Sequence, residues 1–182
     1  SITVDATAQR GESPEAAARR ARYQALATLV EANDCVLTAQ HADDQAETFL
    51  LQLMRGAGAA GLSAMPFAQV FHHAWLLRPL LDIPQPDILN IARSENLSWV
   101  DDPSNVDERF DRNYLRQTIF PALTKRWPQT AQIMTRAAQQ QAENQMLLEA
   151  LAVQDLGLAK MTAVLAVEKL VQLDEPRQRN AL

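Results

Sequence analysis

Apolar residues recur along this chain with two different periods, and the changes between them outline its elements. Residues 2–4 (Ile-Thr-Val) form a short run that predicts a strand. Ser13, Pro14 and Glu15 then supply a side-chain cap, a proline at the first helical position and an acid in the first turn, so a helix is expected from there to about Ala32. Tyr23, Leu26, Ala27 and Val30 keep the spacing of a buried helical stripe, with Arg19 and Arg22 three apart beside it. Residues 35–39 (Cys-Val-Leu-Thr-Ala) are apolar without alternation, the pattern of a parallel strand covered on both faces. A second helix is predicted from near Asp43, with Ala46, Phe49, Leu50 and Leu53 as its stripe, running out at Gly56.

Residues 74–78 (Ala-Trp-Leu-Leu-Arg) read as another strand, and Pro79 should end its pairing or place it at an edge. Pro86 and Asp87 open a helix carrying Ile88, Ile91 and Ala92. A polar loop over 99–107 leads into a helix from about Glu108, which Trp127-Pro128 breaks. Residues 131–152 carry no strand signal and predict one long helix, ending near Gly157. Residues 161–167 fit strand or helix, and a helical pattern resumes to the last residue. This order predicts an α/β architecture: part of a doubly wound parallel sheet with right-handed crossovers, followed by a mainly α-helical domain. The boundary is expected near Trp127, giving 1–127 and 128–182. The chain opens on an apolar run without methionine and stops within a helical pattern, so it is expected to be a fragment of a larger protein.

Composition narrows the class. The 182 residues are 47% hydrophobic and 21% charged with 5 glycines, which excludes disordered and collagenous chains and suits a helix-rich globular protein. No apolar stretch approaches the roughly eighteen residues of a membrane span. The lone Cys35 cannot form an internal disulfide, and a reducing cytoplasm is expected. A net charge of −5 gives no whole-chain attraction to nucleic acid. Locally the balance reverses: Arg109, Arg112, Arg116, Lys125 and Arg126 face one acid, Asp111, within residues 109–126.

The densest polar cluster is His41, Asp43, Asp44, Gln45, Glu47 and Thr48, where a strand ends and a helix begins. Asp43 and Glu47 are four apart and Asp44 and Glu47 three, so the carboxylates can share one helix surface and hold a cation. The same acids could simply complement the helix dipole and cap free amides, and histidine with carboxylates also suits a transition metal, although no second His or Cys cluster accompanies it. His72 and His73 read as structural. Residues 56–61 match G-x-G-x-x-G, yet they follow a helix instead of a strand, which fits a glycine-rich helix exit better than a dinucleotide fingerprint. Arg55 is placed near the same crevice. Arg109, Arg112, Asn113 and Arg116 fall at i, i+3, i+4 and i+7 of the helix predicted from Glu108; arginine forks suit phosphate oxygens, while Asp101, Asp102 and Asp107 could equally pair with them.

In order, Thr38-Ala-Gln-His-Ala-Asp-Asp-Gln-Ala-Glu-Thr48, Arg55-Gly-Ala-Gly-Ala-Ala-Gly-Leu62, Arg78-Pro-Leu-Leu81, Asp101-Asp-Pro-Ser-Asn105 and Arg112-Asn113 resemble the tRNA(Ile)-lysidine synthetase family of PP-loop ATPases over about residues 15–128. Gln40 departs from the family, which usually has a second histidine there. The family's SGGxDS loop for the pyrophosphate of ATP has no match in these residues. The resemblance implies a carbon–nitrogen ligase of the cytoplasm. Such an enzyme uses ATP, with Mg2+, to adenylate C2–O of the wobble cytidine of an isoleucine tRNA, and the amine of free lysine then displaces AMP.

The resemblance implies catalytic or lysine-binding roles for His41, Asp43, Asp44 and Glu47; the residue pattern itself gives no metal ligands. It implies contacts to phosphate or tRNA for Arg112, Asn113 and Arg116, and for Arg19, Arg22 and Arg55. Arg136 and the Lys125-Arg126 pair would help grip the tRNA arm. Two alternatives stay open: a related PP-loop tRNA modifier, such as a thiolase, and a noncatalytic tRNA-binding fragment.

Overall fold

Short β-prone runs separated by long alanine-rich helical patterns give a small sheet and many helices in the computed structural model, which describes residues 2–11, 14–100, 107, 109–158 and 166–182. The chain forms two compact units. The first comprises residues 1–40 and 66–81, the second 41–65 and 82–182.

The first unit holds helix α1 (Pro14–Ala27) and strands β1 (Cys35–Leu37), β2 (Ala68–Phe71) and β3 (Ala74–Leu77). The sheet order is β1-β3-β2, with β1 parallel to β3 and β2 antiparallel to it. Hence the strand read at residues 74–78 is central, not an edge, and Pro79 follows its last paired residue. Strand β2 escaped the sequence pattern because Ala68, Gln69, Val70 and Phe71 carry no clear alternation; it turns into β3 through His72, at φ 55°, and His73. Residues 2–4 form no strand. Ile2 and Val4 are exposed, and the run is too short to hold a sheet position without a partner.

Alternate residues of β3 diverge in environment, as a two-residue period requires. Leu76 and Ala74 are buried with Phe71, whose ring meets Tyr23 of α1 edge-on at 5.8 Å. Leu37, Val70 and Trp75 occupy the opposite face and are exposed. The expectation that residues 35–39 are covered on both faces therefore fails: an unbroken apolar run reports what a strand can bury, and only one face is packed within this unit. Helix α1 stops at Ala27, five residues short of the expected end, and its fully buried positions are Ala17 and Ala21. The cap read at Ser13 lies outside the described residues.

The second unit is helical: α2 (Ala42–Met54), α3 (Ala59–Leu62), α4 (Gln85–Ser94), α5 (Asp111–Tyr114), α6 (Phe120–Arg126), α7 (Thr130–Leu156), α8 (Val167–Leu170) and α9 (Glu175–Ala181). Between α5 and α6, residues Leu115–Ile119 form a π-helical turn. Pro121 supplies a reason, since it has no amide to donate to the Gln117 carbonyl and its ring crowds that group. The helix expected from Glu108 thus begins at Asp111; Glu108, Asp101 and Asp102 lie outside the described residues, as do most of 161–167.

Helix α7 packs on α2 and α3 with its first half. Small buried side chains, Thr130, Thr135 and Ala138, allow the close approach, and the Thr135 hydroxyl donates to the Ala42 carbonyl at 3.4 Å. Its second half meets α9 through Ala152, Leu156 and Ala181, with Leu158, Leu170 and Leu173 around them. Gly157, at φ 59°, ends the helix as expected.

Leu76 is fully buried at the centre of the sheet, so Leu76→Ala is expected to cost about 2–5 kcal/mol. Urea denaturation followed by tryptophan fluorescence measures the loss; an unchanged midpoint would show that the packed face contributes nothing.

Candidate functional site

The acidic motif builds the amino end of α2. His41 is the N-cap residue in extended conformation, and Asp44, three residues on, reaches back to accept the His41 backbone N–H at 3.1 Å. The Thr48 hydroxyl donates to the Asp44 carbonyl one turn below at 2.8 Å. Gln45 faces inward and uses both ends of its amide on one residue: its Nε2 donates to the Met65 carbonyl at 2.9 Å, and its Oε1 accepts the Met65 N–H at 3.0 Å. The most buried residues of α2 are accordingly Ala42, Gln45, Ala46 and Glu47, two of them polar, while Leu53 of the expected stripe is exposed.

Glu47 is the centre of the site. Its side chain is only 3% exposed, and it meets two guanidinium groups from the α5–α6 segment. Arg116 binds it as a fork, Nε donating to Oε1 at 2.7 Å and Nη2 to Oε2 at 2.9 Å. The same Nη2 lies 3.3 Å from Asp44 Oδ1. Arg112 places Nε 3.2 Å from Glu47 Oε2 and donates from Nη2 to the Thr48 hydroxyl at 2.8 Å. Residues 112 and 116 are 64 or more positions from their partners, so only folding joins the basic segment to the acidic turn.

Burial pushes the Glu47 carboxyl up from its ordinary value, an effect the Arg116 hydrogen bonds and charge oppose, Asp44 reinforces and Arg112 opposes. Of the other acids, Asp43 accepts the Gln85 N–H at 2.8 Å and so satisfies a free amide at the start of α4. His41 stands between the aspartates, Nδ1 at 3.7 Å from Asp43 and Nε2 at 3.4 Å from Asp44. Among the described residues, three carboxylates and two guanidiniums surround the His41 imidazole. Among the described residues no group of three or more His, Cys, Asp and Glu side chains is placed to bind a metal ion, and the deepest carboxylate is already engaged by arginines.

The remaining expected residues are dispersed. Arg109 precedes the helix and pairs with Asp107, Nη2 to Oδ2 at 2.6 Å. Asn113 is buried and donates to the Asp107 carbonyl at 2.9 Å, holding the entry to α5. The four-residue polar face expected from 109 to 116 therefore reduces to Arg112 and Arg116 on the carboxylates. Arg55 caps the far end of α2, about 20 Å along the axis from His41 at 1.5 Å per residue, so it does not share the acidic turn. Gly56 after it has φ 71°, and a Cβ on Gly61 would come within 2.6 Å of the Ala57 Cβ; these glycines serve a helix exit and a tight return into α3.

Arg19 and Arg22 belong to the first unit, where their guanidiniums stand 4.7 and 5.7 Å from the Tyr23 ring centroid. Lys125, Arg126 and Arg136 are exposed. His72 and His73 are exposed at the β2–β3 turn. Gln45 and Thr48 were missed as architectural residues, although Thr48 lies four after Asp44, the spacing that allows its bond.

A family model described as a PP-loop domain matches residues 1–123. The chain is also similar to curated proteins named tRNA(Ile)-lysidine synthase. That of Methylococcus capsulatus is 49% identical over 97% of this chain and 41% of its own length. That of Coxiella burnetii is 45% identical over 98% and 40%, and that of Pseudomonas fluorescens 46% over 96% and 41%. The chain thus spans about two-fifths of the length of these relatives. No described helix is long and apolar enough to cross a membrane.

Glu47→Ala leaves two arginines facing an empty buried position and is expected to destabilise the protein by about 3 kcal/mol, the low end for breaking a buried pair because both arginines are partly exposed. Denaturant unfolding measures this; a change within error would show that the cluster does not hold the second unit together. Because Glu47 binds its proton at higher pH folded than unfolded, its contribution to stability falls as pH rises from the ordinary value of 4.5 through its folded value. Glu47→Gln should flatten the unfolding free energy across that window.

Proposed function

The chain belongs to the PP-loop domain family, and on that premise we propose that it is part of an ATP-dependent carbon–nitrogen ligase that joins free lysine to C2 of the wobble cytidine of an isoleucine tRNA. The observation that carries this reading is the similarity along nearly the whole chain to proteins named for that reaction. The acidic turn adds physical support. An α/β domain drawing on residues 1–127 would carry the chemistry, and 128–182 would begin a helical tRNA-binding domain; the family match ends close to this division, at residue 123.

A cytidine C2 oxygen is a poor leaving group, and transfer of AMP from ATP to it, with release of pyrophosphate, turns it into a phosphate ester. The lysine side-chain nitrogen then forms the new bond to C2, AMP departs with the oxygen, and a proton is lost from the amine. Asp43 and Asp44, at 34% and 18% side-chain exposure, are the accessible carboxylates for the incoming ammonium. Glu47 lies behind them and sets the local field. Nearby carboxylates favour the protonated amine, so they aid binding and oppose nucleophile formation. His41, which stands between the two aspartates, or one of those aspartates would accept the proton as the bond forms.

Arg112 and Asn113, with Arg19 and Arg22, are proposed for phosphate or tRNA-backbone contact. Magnesium accompanying ATP would supply charge neutralisation on the phosphates. The acidic turn fits that ion poorly, since Glu47 and Asp44 already accept from Arg116. Lys125, Arg126 and Arg136 offer exposed positive charge for the tRNA arm.

Incubation of the full-length parent protein with ATP, lysine and the isoleucine tRNA is expected to give lysidine and AMP, whereas this chain alone, having no match to the pyrophosphate loop, should release none; parent protein that forms no lysidine ends the proposal. In the parent, Asp43→Asn should raise the lysine KM by about tenfold or more with ATP-dependent tRNA adenylation retained. An unchanged lysine-dependent step would remove Asp43 from the site.

A further inference from the structure

Arg116 is more completely engaged than a substrate-binding arginine needs to be. Both oxygens of Glu47 accept from its fork at 2.7 and 2.9 Å, and its Nη2 lies 3.3 Å from Asp44 as well. Two of the roughly four acceptor positions of Glu47 are thus filled by Arg116 alone, and Arg112 adds an ion pair, its Nε 3.2 Å from the same carboxylate. The carboxylates of Asp44 and Glu47 lie three residues apart on one helix face, where like charges repel. One guanidinium joined to both removes that repulsion and fixes both orientations.

The backbone beneath Arg116 is unusual in the same place. It lies in the π-helical turn Leu115–Ile119, whose wider winding carries Arg112 and Arg116 from successive turns onto one carboxylate. Leu115 beside it is buried, so the turn is held from within, while Arg116 keeps 35% of its side chain exposed at the rim.

We propose that Arg116 is a positioning residue for the cationic substrate: its fork holds Glu47 and Asp44 side by side so that Asp44 presents its carboxylate to the ammonium group, and it does not itself contact phosphate. This rests on the lysine-ligase reading and assigns within it a role opposite to the phosphate contact expected from the sequence. Two simple alternatives predict differently. If Arg116 acted only as a nearby positive charge, its removal would leave the turn more negative and strengthen binding of an ammonium. If it met phosphate, its removal would weaken ATP or tRNA and spare lysine.

The test uses the full-length parent enzyme with Arg116→Gln and Arg116→Lys, measuring KM separately for lysine and ATP, tRNA affinity, and kcat. Arg116→Gln is expected to raise the lysine KM by about 10–100-fold with the ATP KM and tRNA affinity within about twofold. Arg116→Lys keeps the charge, loses the fork, and should fall between the two. Among the described residues, the groups that face Glu47 are Arg112 and Arg116 from the opposite segment and Asp44 from its own helix, with His41 beyond Asp44; α3 has no ionisable side chain, and the α7 side chain Thr135 bonds to the α2 backbone. Loss of Arg116 removes an influence that holds the Glu47 carboxyl down, so the acid limb of kcat/KM for lysine should move to higher pH.

A lower lysine KM in Arg116→Gln, or a loss confined to ATP or tRNA, overturns the proposal. So does an unchanged lysine KM in both variants. Should Arg116→Gln fail to fold, as its melting curve would show, Arg116→Lys decides alone through the same lysine and ATP constants. Wild-type parent enzyme that makes no lysidine defeats the earlier functional reading instead, and is distinguished by being scored before either variant is made.

Discussion

A carboxylate withdrawn from water can stay charged only if cations and hydrogen-bond donors replace the solvent it loses. Glu47 meets that condition through Arg116 and Arg112, and the second unit is organised around the requirement. The bond couples the first turns of α2 to the irregular helix between Asp111 and Arg126. Its directionality matters as much as its energy, since a fork on a carboxylate fixes both planes where a hydrophobic contact would leave them free to rotate.

Around this pair, the other polar contacts fix the acidic turn from several sides. Asp43 holds the start of α4, Gln45 holds the backbone of Met65, and Thr135 reaches the Ala42 carbonyl. A turn fixed at this many points presents its charges in a set geometry, which lowers the reorganisation needed when a cation arrives. The same carboxylates that form the proposed lysine site are thus structural groups. Substitutions there will affect stability and substrate binding together, and kinetic constants for individual substrates are needed to separate the two.

The irregular helix shows how a local defect can be used. Proline within a helix disrupts the ladder before it, and here the disturbance takes the form of a π-turn directly under Arg116. An ideal helix predicted from the spacing of Arg109, Arg112, Asn113 and Arg116 puts four polar groups on one face. The real segment starts later, gives Arg109 and Asn113 to Asp107, and leaves two arginines for the carboxylates.

Period and punctuation were enough to locate α2, α4, α7, β1 and β3 to within a few residues, because amphipathic spacing, prolines at helix starts and glycines at helix exits act over a single turn. Residue type along the chain marked 41–48 as the polar cluster, and the resemblance of its ordered motifs, not period, connected the chain with its family. Strand β2 and the exposed side of the sheet were not legible, since pairing depends on partners elsewhere and apolarity records only what could be buried. Neither was the pairing of Arg112 and Arg116 with Glu47: a charge pattern states which groups need partners, and across more than sixty residues only the packed structure selects them.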